Sequence, residues 1–229
     1  RPENIAHLRG EDRFDFREMD ICEHDALAGA MRNVDRVFHI AGIGDIVPSI
    51  EAPLDYHRAN VDGTMSCLEA ARANGVSRFL YAASSTCYGL AEIYPTPEDH
   101  PIRPEYPYAL TKHIGEELVL HWAHVYGLSA NSLRLFNVYG PRSRTTGAYG
   151  AVFGVFLAQK LAGKPYTVVG DGEQTRDFTY VSDVADAFFT VSESDIPGEA
   201  LNVGSGGSYS INRLVDLLGG EKMYIPKRP

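Results

Sequence analysis

The chain of 229 residues predicts an α/β fold, a doubly wound parallel sheet with a smaller second lobe. Three observations carry that reading. Short apolar runs alternate with longer amphipathic stretches between Phe14 and Phe136. The apolar runs are near-continuous, the mark of strands covered by helices on both faces. After Gly140 the texture changes: Gly, Pro and aromatic residues are dense in GPRSRTTGAYGAVFG and VVGDGEQTRDF, and the elements shorten.

In chain order, residues 14–19 (FDFREM) read as a short strand and residues 25–32 as a helix. Residues 36–40 (RVFHI) form a buried strand that ends at Ala41-Gly42. Residues 54–73 are a long helix, because Leu54, Val61, Met65, Leu68 and Ala71 fall near one face. Asn74-Gly75 stops it, with glycine where a left-handed C-cap needs one. Residues 78–82 (RFLYA) are the next strand, and residues 108–126 the next long helix, closed by Gly127. Residues 130–136 are a further strand. The expected division is a sheet domain over 1–140 and the smaller lobe over 141–229, with about 178–203 returning to the sheet. Ligands on parallel sheets bind at the carboxyl ends of the strands. Chemistry is therefore sought just after Ile40, Ala82 and Phe136.

Composition narrows the function classes. Thirty acidic against twenty-one basic residues give a net charge of −9, with no long basic run, which argues against nucleic acid as a partner. The longest apolar stretch, residues 147–158, is short and Gly-rich and cannot span a bilayer. The three cysteines, Cys22, Cys67 and Cys87, form no CxxC pair, and the eight histidines show no HExxH or HxxxH spacing. Neither a disulfide framework nor a metal site is expected, and a cytoplasmic location is the default. The N-terminal RPENIAHLRGEDRFDF has no signal-peptide core.

The strongest local signal is Tyr108-Ala-Leu-Thr-Lys112, opening a long helix. A spacing of four places both side chains on one face, one turn apart. An ammonium beside a phenol favours the phenolate, so Lys112 is expected to lower the pKa of Tyr108 toward the range of a general base. A surface Tyr with an incidental Lys satisfies the same spacing. What lifts the pattern is Ser84-Ser85-Thr86-Cys87-Tyr88-Gly89, directly after the strand RFLYA, where a parallel sheet places its chemistry.

With both pieces in hand the sequence resembles the extended short-chain dehydrogenase/reductases, the branch that modifies nucleotide-sugars. Val37-Phe-His-Ile-Ala-Gly42 is similar to the family's fourth strand with its Ala-Gly turn. Asn60-Val-Asp-Gly-Thr64 followed by Leu68-Glu-Ala-Ala71 is similar to its NVxGTxxxLEAA helix. Leu135-Phe-Asn-Val-Tyr-Gly-Pro141 and Val169-Gly-Asp-Gly-Glu-Gln-Thr-Arg-Asp-Phe178 resemble its two substrate-side signatures. The matches run in order along nearly the whole chain.

The resemblance implies a Rossmann-type NAD-binding domain followed by a substrate-binding lobe, and it assigns roles. Ser84, four residues before Tyr88, takes the place of the catalytic Ser or Thr that hydrogen-bonds the reacting sugar hydroxyl. Tyr108 is the general base, and Lys112 binds the nicotinamide ribose and holds Tyr108 ionised. Asp20 and Ile21 match the pair beside the adenine, Ala41 and Gly42 the turn against the cofactor. Asn60 stands in the cofactor region, more as a buried support than as a ligand contact. Asn137 and Arg176 match contacts to the substrate diphosphate, a task that suits the planar, permanently charged Arg fork. Arg228 in Lys227-Arg228-Pro229 is the candidate second phosphate arginine, and Ala151 and Val152 pass the nucleotide base. On the family pattern a strand, a GxxGxxG loop, a helix and another strand precede Arg1, and further helices follow Pro229. The chain therefore reads as part of a longer protein whose first βαβ unit is missing.

The implied activity is that of a nucleoside-diphosphate-sugar 4-epimerase, acting on UDP-hexoses through a transient 4-keto-sugar with NAD as cofactor. Relatives that dehydrate the sugar place Asp-Glu after the catalytic Thr, where this chain has Ser85 and Thr86. UDP-glucuronate decarboxylases keep a Glu at the Thr86 position. The 3,5-epimerases of GDP-mannose use a Cys two residues before the Tyr, whereas Cys87 stands one before Tyr88. A dehydratase or reductase of the same family, or a non-catalytic dinucleotide-sensing protein, is the alternative. A homodimer paired through the helices over 54–73 and 108–126 is also implied, with His121, Trp122 and Val125 either as contacts there or as residues facing the core.

Overall fold

Every residue of the strand Arg78–Ser84 is buried, and the rest of the molecule is arranged around it. The computed structural model describes residues 2–143 and 152–226. A 3-10 turn (Pro2–Leu8) leads to α1 (His24–Ala30), β1 (Arg36–His39), α2 (Ile46–Glu51) and α3 (Pro53–His57). A π-helical turn (Arg58–Asp62) joins α3 to α4 (Gly63–Ala73). Next come β2 (Arg78–Ser84), a 3-10 turn (Ser85–Tyr88), α5 (Pro107–Tyr126), β3 (Ala130–Leu135) and β4 (Asn137–Tyr139). Then follow α6 (Val152–Leu161), β5 (Tyr166–Val169), β6 (Thr175–Arg176), β7 (Phe178–Tyr180) and α7 (Val181–Glu193). The last elements are β8 (Ala200–Val203), β9 (Tyr209–Ser210), α8 (Ile211–Leu218) and β10 (Lys222–Ile225).

The main sheet runs β1-β2-β3-β8, all parallel. Alternation along β2 sorts its side chains between two cores. Phe79, Tyr81 and Ala83 face one cluster with Leu68, Ala71, Val119 and Trp122 from α4 and α5. Leu80 and Ala82 face the other with Leu133, Val184 and Phe188, the last two from α7. Helices on both faces explain why β2 reads as an unbroken apolar run. In register, Ser84 lies opposite Leu135, and Leu135 opposite Val203, so three strands end side by side. A separate cluster of Phe156, Tyr166, Val168, Ile211, Leu214 and Val215 joins α6, α8 and the parallel pair β5–β10.

Two expectations change. Residues 14–19 form no strand; among the described residues β1 pairs only with β2, and a strand needs a ladder partner. The long helix over 54–73 is interrupted by the π turn Arg58–Asp62, which buries Asn60 and Val61. Such turns insert one residue into the helical repeat and often mark functional positions. Here the insertion sends Asn60 toward the loop after β1 as well as toward α5. The closures of the helices at Gly75 and Gly127 are left-handed, at φ 67° and 68°.

α5 packs on β2 at Gly115, where a Cβ atom would lie 2.4 Å from the Tyr81 hydroxyl and 3.3 Å from the Asn60 carbonyl oxygen. Overpacking of this kind costs ~1–3 kcal/mol, outweighing the ~1 kcal/mol that alanine gains over glycine in a helix. Gly115→Ala is therefore expected to lower the urea midpoint. A raised midpoint would show that helix and strand separate freely.

Candidate active site

The chemistry-bearing residues gather where β1, β2 and β3 end. Ser84 is the last residue of β2 and caps the following turn, its Oγ accepting from the Thr86 amide at 3.3 Å and from the Thr86 hydroxyl at 2.9 Å. With its lone pairs so used, the Ser84 hydroxyl keeps its own proton to donate, and it lies near enough to the Tyr108 phenol to act on its titration. Thr86, which stands where the dehydratases hold Glu, thus orients Ser84. Tyr108 opens α5 and packs edge-to-face on Tyr56 at 6.3 Å. The Tyr56 hydroxyl in turn donates to the carbonyls of Gly44 and Asp45, fixing the loop after β1.

The electrostatics depart from expectation. Burial raises the Tyr108 phenol above its ordinary range, the Ser84 hydrogen bond opposes this, and the Asp45 charge adds to it. Among the described residues no hydrogen bond joins Lys112 to the Tyr108 phenol. The four-carbon stem of Lys112 carries the ammonium to the sheet, 4.3 Å from the centre of the Tyr81 ring, where the negative π face attracts a cation. Burial lowers Lys112 to about 8. Burial first, and the Lys112 charge second, hold His39 down to about 3. The spacing of four does put Tyr108 and Lys112 on one face, but it leaves the ammonium free to choose its partner.

The edge expected to meet the cofactor is built for close approach. Ala41 and Gly42 are exposed at the end of β1, and a Cβ on Gly42 would meet Asn60 Oδ1 at 2.7 Å and lie 3.8 Å from Lys112 Nζ. Asn60 is wholly engaged as a support. Its Oδ1 accepts from the Ile43 amide at 2.8 Å, and its Nδ2 donates to the Ile43 carbonyl at 3.1 Å and to the Thr111 hydroxyl at 3.0 Å. Asp20 accepts from the Cys22 amide at 2.9 Å and from Arg58 at 3.0 Å, and the Cys22 bond holds its carboxyl low. Ile21 packs against Gly63, whose absent side chain makes the room. A small-residue turn next to an ammonium that forms no hydrogen bond among the described residues fits the ribose hydroxyls of a dinucleotide.

On the substrate side, β4 pairs with β7 so that Asn137 lies opposite Phe178, two residues beyond Arg176. Asn137 donates through its amide and its side chain to the Asp177 carbonyl, at 3.1 and 3.0 Å. Arg176 is exposed and bonds the Thr175 carbonyl at 2.8 Å. The Asp177 carboxylate clamps the loop after β8, accepting from the Ser205 amide and hydroxyl at 2.8 Å and from the Gly206 amide at 2.9 Å. Val152 opens α6 and packs against the cluster of the smaller lobe. Ala151 and Arg228 lie outside the described residues.

Behind the site is a pair that the sequence reading did not single out. Glu116, one turn beyond Lys112, accepts from Ser132 at 2.8 Å and from the fork of Arg134 at 2.8–3.1 Å. Arg134 also donates to the Tyr88 hydroxyl at 2.7 Å and the Glu98 carbonyl at 2.8 Å, and Tyr88 donates to Asn202 at 2.7 Å. The legible signal was an acid four residues after Lys112 on a core-facing stripe. His113, Glu116 and Glu117 have ligand-type atoms within 4.8 Å of one another, but a cation there would have to displace the Arg134 guanidinium.

A Rossmann-type sheet with Ser, Tyr and Lys at its strand ends is the arrangement of the short-chain dehydrogenase/reductases. A family model described as the NAD dependent epimerase/dehydratase family matches residues 1–204, and the chain belongs to that family. It is 34% identical over 223 residues to a UDP-glucose 4-epimerase of Mycolicibacterium smegmatis, covering 96% of this chain and 71% of that one. A UDP-N-acetylglucosamine 4-epimerase of Methanobrevibacter ruminantium, solved with UDP-N-acetylmuramic acid, superposes with a TM-score of 0.93 at 32% identity, covering 98% and 74% of the two chains. A UDP-glucuronic acid 4-epimerase of Bacillus cereus, solved with UDP-glucuronic acid and NAD, gives 0.90 at 31% identity, covering 100% and 74%. Decarboxylases and a dehydratase stand among the relatives at 31–32% identity. Among the described residues no helix is long and apolar enough to cross a membrane.

Burial works against the charged Glu116, but the His113 ring, 3.4 Å away, and the hydrogen bonds from Arg134 more than offset it and bring the carboxyl down from 4.5 to about 2. A lowered folded-state pKa contributes stability that is complete above the ordinary value and is lost as pH falls through the window from 4.5 to about 2. The urea midpoint of Glu116→Gln is therefore expected to fall less steeply between pH 5 and 3 than that of the parent. Parallel slopes would refute the pairing. Arg134→Met, which strands the carboxylate, should cost ~3–5 kcal/mol.

Proposed function

We propose that the protein is a nucleoside-diphosphate-sugar 4-epimerase acting on UDP-hexoses, such as the UDP-glucose/UDP-galactose pair or their N-acetyl forms. The observation that carries this reading is the chemistry beside the Ser84–Tyr108 pair. Ser85 and Thr86 occupy the positions where dehydratases of the family hold Asp and Glu, and neither hydroxyl can remove a proton at neutral pH. Cys87 is buried, and that burial first of all pushes its thiol up to about 12. One base and one hydroxyl suffice for epimerisation.

NAD, when bound, supplies the acceptance of the C4 hydride and its return. Lys112, Ala41, Gly42, Asp20 and Ile21 would hold it. The protein's own part is proton handling and orientation. Tyr108 takes the C4 hydroxyl proton at its phenol oxygen, and Ser84 donates to the same sugar oxygen. The keto-sugar turns over between these groups while Asn137 and Arg176 keep the diphosphate, and Tyr108 returns the proton on the other face. Burial raises Tyr108 and lowers Lys112, so their titration ranges move apart and each is pushed toward its neutral form; the phenolate that takes the proton forms against that bias. A dehydratase is the second reading, favoured by one observation: Asp45 lies near enough for its charge to act on Tyr108.

We also assign the chain a homodimer. What supports it is an apolar groove of about 470 Å³ between α3 and α5, lined by Pro53, Leu54, Tyr106, Leu110 and Ile114 among others, with Leu54 83% exposed. Trp122 takes the core-facing alternative. It packs into its own core and donates to Glu69 at 2.7 Å.

Incubation with catalytic NAD and a panel of UDP-hexoses should give, by proton NMR and mass spectrometry, a product of unchanged mass with inverted C4. Loss of water, abolished by Asp45→Asn, would establish the dehydratase instead. Tyr108→Phe should lower turnover by at least ~10²-fold, the scale of one acid–base group, with UDP binding nearly intact; substantial residual activity would overturn the Tyr108 assignment. Analytical ultracentrifugation at micromolar protein is expected to show a dimer, and a monomer would remove that claim.

A further inference from the structure

We infer that Tyr81 is a positioning residue of this site: its ring seats the Lys112 ammonium, and its hydroxyl latches the Lys112 main chain. The inference rests on the reading of Lys112 as the cation of the site. Tyr81 lies in the middle of β2, wholly buried. Lys112 Nζ stands 4.3 Å from the ring centre, and the Tyr81 hydroxyl donates to the Lys112 carbonyl at 3.3 Å. One aromatic side chain thus holds both ends of Lys112. The gap at Gly115 admits that hydroxyl, for any side chain there would collide with it.

The surroundings leave the ring as the principal partner of the cation. From β1, His39 lies 5.4 Å from the Tyr81 ring, and it contacts Thr64 at 2.9 Å. The Thr64 hydroxyl gives its one proton to the Asn60 carbonyl at 2.6 Å, so His39 donates through Nε2, and burial keeps the ring neutral. From the π turn, Asn60 is engaged with Ile43 and Thr111. On α5 itself, Glu116 is saturated by Arg134 and Ser132, and Tyr108 faces Ser84. No hydrogen bond from Nζ is formed among the described residues. A buried ammonium with no carboxylate partner needs another source of negative potential, and a π face at this distance supplies it. Tyr81 thereby keeps the charge in place at the strand ends, beside Gly42.

The experiment is NMR of the full chain labelled with ¹³C-lysine, which carries five lysines. A ring face shields nuclei stacked on it, so the Lys112 ε-methylene, identified by its loss in Lys112→Met, is expected upfield of those of the exposed Lys160 and Lys164. The shift should persist in Tyr81→Phe, which keeps the ring, and vanish in a folded Tyr81→Leu. In that variant the acid constant of the ammonium should rise about 3- to 30-fold on losing the cation–π contact. A Lys112 signal coincident with those of the exposed lysines in the parent protein, or an upfield shift retained in Tyr81→Leu, overturns the proposal. Should Tyr81→Leu not fold, the parent and Tyr81→Phe spectra decide it alone. If instead the ring seat is found but Lys112→Met turns over substrate normally, it is the functional reading of Lys112 that fails.

Discussion

The arrangement depends on the buried ion pair between Glu116 and Arg134. It joins the helix that carries Tyr108 and Lys112 to the strand beside Ser84, and through Tyr88 and Asn202 it reaches the next strand out. Desolvating two charges is costly, and their attraction offsets that only when the geometry is good and the remaining hydrogen-bonding capacity is filled. Both conditions hold. The carboxylate takes the guanidinium fork and the Ser132 hydroxyl, while the guanidinium also meets Tyr88 and the Glu98 carbonyl. An apolar pair of equal volume would pack α5 on β3 but would fix neither its rotation nor the turn after Ser84. Directional bonds do both, because each is lost steeply with misalignment.

A second constraint acts on charge at the strand ends. Tyr108 and Lys112 are both withdrawn from water, and burial disfavours the charged form of each, raising the phenol and lowering the ammonium. A neutral His39 beside Tyr81 avoids a second positive charge in the same space. The site is therefore partly buried and lined with hydroxyls, with Lys112 and Asp45 as its nearby charges.

The substrate side is organised differently, by backbone. Asp177 is surrounded by amide and hydroxyl donors from the loop after β8, while its own carbonyl anchors Asn137. Asn137 and Arg176 thus come together through a short ribbon, β4 with β7, although far apart in sequence. Their side chains stay at the surface.

The sequence by itself determined the strands at 36–40, 78–82 and 130–136, the helix over 108–126, and the placing of Ser84, Tyr108 and Lys112 near one edge. These follow from local signals: apolar runs of strand length, amphipathic period, Gly stops at 75 and 127, and the spacing of four. It also carried the family, since the ordered motifs survive as linear text. Only the tertiary structure decided which groups meet. Residues 14–19 have the composition of a strand but no ladder partner, and the insertion at Asn60 leaves no trace in the apolar pattern. The destination of the Lys112 ammonium, on Tyr81 rather than on Tyr108, depends on what faces α5 across the sheet. The same holds for Glu116: a helical acid reads as solvated until β3 supplies Arg134. Local sequence sets the direction in which a side chain leaves the backbone, whereas its partner comes from a segment whose approach is fixed only when the whole core packs.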